Sequence, residues 1–123
     1  MSSAIYLKFD TPIQLTDWMS FCATSGIEHN PRVVGQNVFY KYGDTSYRDD
    51  VEIHFGNPIP DAPRLQSGSL DLARVSPEPE AKEIRVSTYW MGNLDGVADV
   101  AKRILSIWPT HNIECAPELE SLM

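Results

Sequence analysis

The chain has 123 residues, 42% of them hydrophobic and 22% charged, with 10 Lys and Arg against 17 Asp and Glu for a formal net charge of −7. A chain of this length makes one domain that buries roughly two-thirds of the surface its unfolded form exposes, so disorder is excluded and no metal or disulfide staple is required. The acidic balance argues against direct binding to a phosphate backbone, since no basic stripe is present, and is compatible with docking on a basic protein surface.

Residues 3–9 alternate Ile5, Leu7 and Phe9 with Tyr6 and Lys8, a period of two that predicts a strand. Asp10, Thr11 and Pro12 read as a helix start, with Thr11 as the cap and Pro12 at the first helical position. Leu15, Trp18, Met19 and Cys22 follow at helical spacing, and Ser25-Gly26 reads as the stop, because glycine accepts the left-handed conformation. After a connection containing Asn30-Pro31, residues 33–42 read as one strand with a bulge at Gly35, and residues 51–55 as another. These two are expected to form an antiparallel hairpin with a long polar tip over residues 43–50.

Gly56, Pro58, Pro60 and Pro63 mark a loop. A further strand is expected over residues 67–75, a turn over 76–80, and a clear strand over 83–91 with Ile84, Val86, Thr88 and Trp90 on one face and Arg85, Ser87 and Tyr89 on the other. Asn93 is positioned to cap a second helix carrying Val97, Val100, Ala101, Ile104, Leu105 and Trp108 at helical spacing, which Pro109 ends. Asn112 to Cys115 reads as a short last strand, and residues 116–123 as a fraying tail or a short helical turn.

Each helix has one apolar stripe and the best strands are apolar on one face. The economical arrangement is a single α+β domain spanning residues 1–123, a two-layer sandwich with a predominantly antiparallel sheet and both helices on one face. It resembles a ferredoxin-like sandwich with strands inserted before the second helix. The resemblance is one of architecture. Trp18, Trp90 and Trp108 all fall on apolar periodic faces and are expected in the shared core.

The N-terminal residues show no basic leader before an apolar core, and no apolar run approaches the ~20 residues that span a bilayer. A cytoplasmic protein without membrane contact is expected. Cys22 and Cys115 lack metal-type spacing and read as two free thiols in a reducing compartment. His29 and His111 fall in loops with no ligand at metal-like spacing, and neither a metal nor a cofactor is expected. Gly92 to Gly96 stands where a phosphate-binding turn would sit, but Asp95 opposes an anion there and helix capping accounts for the residues.

Two candidate sites emerge. The first is the segment around the hairpin tip, where Tyr42, Asp44, Tyr47, Asp49 and Asp50 combine aromatic anchors with negative charge. It supports a non-enzymatic, acidic protein-binding module, such as an immunity-type or phage-type inhibitor of a basic nuclease, toxin or nucleic-acid-handling complex. The second is the sheet face turned away from the helices. If their strands are neighbours, Glu52, His54, Arg85, Ser87 and Tyr89 form a polar patch there. In this alternative, a small-ligand or enzymatic domain, His54 is the acid–base group, Glu52 orients it and Arg85 anchors an anion. A homodimer that closes over the face, and an assembly component with an open sheet, are compatible with the same pattern.

Overall fold

A computed structural model describes residues 2–27, 51–56, 65–66, 71, 74 and 80–123 in full, and residues 32–34 and 37–42 as backbone. In chain order these form β1 (Ser2–Gln14), α1 (Leu15–Thr24), β2 (Arg32–Val34), β3 (Asn37–Tyr42), β4 (Val51–Phe55), β5 (Glu80–Tyr89), α2 (Leu94–Ile107), β6 (Asn112–Cys115) and α3 (Pro117–Glu120). The strands lie in the order β2-β3-β4-β5-β1-β6, and each pairs antiparallel with its neighbour. The two long helices make crossovers: α1 leads from β1 past β5, β4 and β3 to the edge strand β2, and α2 leads from β5 past β1 to the opposite edge strand β6. The β2–β3 hairpin lies at one edge of the sheet and β6 at the other.

Strand alternation decides which side is buried. The register pairs Ile5 with Val86, Val86 with Ile53, Leu7 with Ile84 and Ile84 with Phe55, so these six side chains form two rows on one face. They join Leu15, Trp18 and Cys22 of α1 and Val97, Val100, Ala101 and Ile104 of α2 in a single buried cluster. The chain is therefore an α+β two-layer sandwich with both long helices on one side of the sheet. Cys22 is fully buried in that core, and desolvation pushes its thiol up to about 12.

Three local expectations need correction, and a fourth is decided between its two alternatives. The first helix starts at Leu15, not near Thr11, because β1 continues through Pro12. The β1–β5 register is irregular between Lys8 and Ile13, and the absent N–H of Pro12 falls in that irregular stretch, off the ladder. Extending the strand buries Ile13 and lets the Gln14 Nε2 donate to Glu80 Oε2 at 2.7 Å. Second, residues 33–42 are not one bulged strand: the chain reverses between Val34 and Asn37, and the Arg32–Val34 strand folds back on β3. Gly35 itself lies outside the described residues.

Third, within the stretch expected as a strand over 67–75, only Asp71 and Arg74 are described. They make a backbone turn, Arg74 N–H to Asp71 O at 3.1 Å, closed by an Arg74–Asp71 ion pair at 2.7 Å. Fourth, of the two forms expected for residues 116–123, the short helical turn is present as α3, and it is tied down. Leu119 is fully buried, the Ala116 N–H donates to Ala4 O at 3.0 Å, and the Ser3 hydroxyl donates to Glu118 at 2.5 Å.

The end of α1 and the start of α2 follow the sequence signals. Gly26 has φ +72° just beyond α1, as a left-handed stop requires. A Cβ built there meets nothing within 4 Å, so Gly26→Ala carries a backbone cost alone. We expect it to destabilise the fold by about 1–2 kcal/mol, read from the urea midpoint, with Gly26→Asn costing less. At α2 the Asn93 side chain accepts from the Gly96 N–H at 2.9 Å. A side chain at Gly96 would collide with that cap, at 2.6 Å from the Asn93 amide nitrogen. The Gly92–Gly96 stretch is thus a capping turn. Arg103 joins the helices: its Nη1 donates to Ser25 O at 2.8 Å, and its Nη2 lies 3.2 Å from Asp99.

Candidate functional site

Of the hairpin-tip residues, Tyr42 is described as backbone at the end of β3, paired with Val51. Asp44, Tyr47, Asp49 and Asp50 lie outside the described residues. The stem nevertheless fixes where the segment attaches. Val51 pairs with Thr88 on β5, and Tyr89 next along pairs with Ser2 at the start of β1. The segment therefore joins the sheet at the end from which the β5–α2 turn emerges.

That turn is held by a backbone hydrogen bond and by two bonds to buried hydroxyls. The Gly92 N–H donates to Tyr89 O at 2.7 Å, and the Asn93 N–H donates to Thr88 Oγ1 at 3.1 Å. Ser3, with no exposed surface, accepts from the Met91 N–H at 3.2 Å while its own hydroxyl donates to Glu118. Ser3 thus ties the turn to β1 and α3 together. Met91 has φ 56°, a left-handed backbone that a side chain with a Cβ adopts at a cost.

The turn presents its two large side chains to water, with Trp90 53% and Met91 52% exposed. Trp90 was expected in the core with Trp18 and Trp108. Instead the alternation of β5 ends at Tyr89, the chain leaves the sheet, and residue 90 no longer follows the buried phase of Ile84, Val86 and Thr88. Trp18 and Trp108 do share a layer, with ring centroids 6.1 Å apart. Carboxylates accompany the exposed pair: Asp95 in the first turn of α2, and Glu118, whose carboxyl the Ser3 hydroxyl holds below its ordinary value. The sequence signal for this end was Gly92 two residues past Trp90, a turn residue that cuts the alternating pattern short.

The second candidate is the sheet face opposite the helices. The register pairs His54 with Arg85 and Glu52 with Ser87, and on the other flank of β5 pairs Arg85 with Tyr6 and Ser87 with Ala4. The expected neighbours are therefore neighbours. Within the patch they divide into two groups. His54 Nε2 lies 3.6 Å from Glu52 Oε2, with side chains 27% and 44% exposed. Arg85 turns to β1, where its Nη2 donates to Ser2 Oγ at 2.8 Å and its guanidinium carbon sits 5.7 Å from the Tyr6 ring centre. Ser87 is 4% exposed, too covered to present its hydroxyl. Farther along the face, Lys8 pairs with Glu114 at 2.6 Å, and that bond raises the Lys8 ammonium above its ordinary range.

Among the described residues no group of three or more His, Cys, Asp and Glu is placed to hold a metal ion. No described helix is long and apolar enough to cross a membrane. Comparison with protein-family models finds no match, and comparisons with curated proteins and with solved structures find no similar chain.

Proposed function

We propose that the chain is a non-enzymatic protein-binding module that docks on a basic partner through the end of the sheet carrying Trp90 and Met91. The observation that carries this reading is the exposure of two large apolar side chains on a turn whose backbone is cross-tied at Ser3. An exposed tryptophan on a rigid support desolvates a large area at low entropic cost and is the commonest kind of interface anchor. Methionine beside it adapts its shape to the partner. A left-handed non-glycine residue at an exposed turn is strain of the kind that functional sites retain.

Charge supplies the choice of partner. The net charge of −7, with Asp95 and Glu118 at this end, steers the module toward a positively charged surface. The segment containing Asp44, Tyr47, Asp49 and Asp50, which attaches at the same end, adds three carboxylates and an aromatic anchor. A nuclease, a toxin or a component that handles nucleic acid has such a surface, and an inhibitor of the immunity or phage type is the role that fits. The chemistry needs no catalytic group on this chain.

The test is capture from a lysate of the source organism by the wild type and by a Trp90→Ala, Met91→Gly double variant. The expected result is a stoichiometric, Lys- and Arg-rich partner, released at high salt, whose affinity the double variant lowers at least about 30-fold, or 2 kcal/mol. The same variant is expected to fold as stably as the wild type or up to about 1 kcal/mol more so, since glycine relieves the backbone at position 91. Retention of the partner by the double variant, or no salt-sensitive partner at all, overturns the reading.

A further inference from the structure

We infer that the outer sheet face holds a second site, separate from the partner-binding end, in which Arg85 receives the carboxylate of a small organic acid. The starting point is an unmatched charge. Arg85 is half-buried in the middle of the sheet, yet among the described residues it has no carboxylate within ion-pair reach. Lys8, Arg74 and Arg103 each have one, at 2.6, 2.7 and 3.2 Å. The guanidinium of Arg85 is held instead by a hydroxyl and an aromatic ring, those of Ser2 and Tyr6.

The second observation is an unused donor. The Nε of Arg85 is buried without a hydrogen-bond partner. A buried N–H left unbonded costs about 1–3 kcal/mol, more for a charged group. A carboxylate laid on the Nε–Nη2 edge supplies the missing acceptor in the forked geometry that guanidinium favours. It replaces the Ser2 hydroxyl as acceptor at Nη2, and that hydroxyl then donates to the bound oxygen. His54, paired with Arg85 across the strands and leaning on Glu52, bounds the opposite flank.

Shape and charge narrow the ligand. Ser2 and Tyr6, the two residues that hold Arg85, also line a shallow depression of about 300 Å³ on the β6 side of β1, whose other walls are Ala4, Glu114, Cys115 and Ala116. This admits the body of a small acid, with the Tyr6 ring as its apolar wall. Glu52, Glu83 and Glu114 share the face, through their pairing with Ser87, Lys8 and Tyr6. Their field tolerates a monoanion better than the dianion of a phosphate.

Titrating the full chain with benzoate, propionate and inorganic phosphate while observing the Arg85 Nε–Hε resonance by NMR tests the site. At least one carboxylate is expected to give a saturable shift, with a dissociation constant below about 10 mM, and phosphate to bind more weakly. Arg85→Lys, which keeps the charge and loses the fork, is read through the amide resonances of Tyr6 and Ser87. It is expected to weaken binding at least about tenfold. Ser2→Ala, at an exposed position at the start of β1, is expected to weaken it about threefold. Trp90→Ala leaves this binding unchanged, so the two sites stand or fall separately. No saturable shift with either carboxylate, equal affinity in the wild type and Arg85→Lys, or tighter phosphate than carboxylate binding overturns the assignment.

Discussion

Trp18→Ala is expected to destabilise the fold by about 3–5 kcal/mol, the range for truncating a fully buried large aromatic side chain. Trp18 has no exposed surface, and its ring centre lies 5.3 Å from Phe21, 5.7 Å from Phe55 and 6.1 Å from Trp108. These contacts join α1 to β4 and to the end of α2, so the cavity opens where three elements meet. Phe21 and Trp108, edge-on at 5.3 Å, hold each other in place and restrict collapse into the void. Trp18→Phe keeps much of the volume and is expected to cost less than half as much. Urea unfolding followed by far-UV circular dichroism checks both, and a loss under 1 kcal/mol for Trp18→Ala would contradict this packing.

Removing the C-terminal anchor is expected to be nearly as damaging. Leu119→Ala should cost about 2–4 kcal/mol, because Leu119 is fully buried in the same cluster as Ile5 and Val97. A chain cut after Cys115 loses in addition the bond from Ser3 to Glu118 and that from Ala116 to Ala4. It exposes the covered end of the core and is expected to lose cooperative unfolding. A shortened chain as stable as the full one would show that α3 only lies against the surface.

The Ser3–Glu118 bond also leaves a mark on acid stability. The Glu118 carboxyl is held below its ordinary value of 4.5, chiefly by the Ser3 hydroxyl. The folded state therefore binds its proton less readily than the unfolded state does. Its contribution is complete above the unfolded value and is lost as pH falls through that value toward the lower folded one. Glu118→Gln removes this dependence, and its stability is expected to fall less steeply than that of the wild type below about pH 4.5. Identical acid limbs for the two proteins would show that the bond carries no linkage.

The outer-face neighbours were readable before any coordinates. Period-two alternation through Val51, Ile53 and Phe55, and through Ile84, Val86 and Thr88, assigns Glu52, His54, Arg85 and Ser87 to the other side. Only pairing could bring β4 beside β5, and only side-chain packing could turn Arg85 to Ser2 and Tyr6 and leave His54 with Glu52. The acid–base arrangement of three groups was thus legible as a shared face and not as a constellation. For the end proposed to bind a partner, the composition of residues 42–50 was the readable part. Trp90 was misplaced because its position in the alternation is that of a core residue, and the turn made by Met91 and Gly92 removes it from the ladder.

Sequence periodicity alone determined the α+β class, the buried phase of the central strands, the Asn93 cap and the Gly26 stop, because each depends on residues within a turn or two of one another. Strand order, the passage of β1 through Pro12, the folding back of β2 on β3, the exposure of Trp90 and the docking of Leu119 were decided by tertiary structure. These depend on backbone partners and on apolar surface contributed from elsewhere in the chain. A local pattern states which side of an element is apolar, while the element that covers it is chosen by the free energy of the whole assembled core.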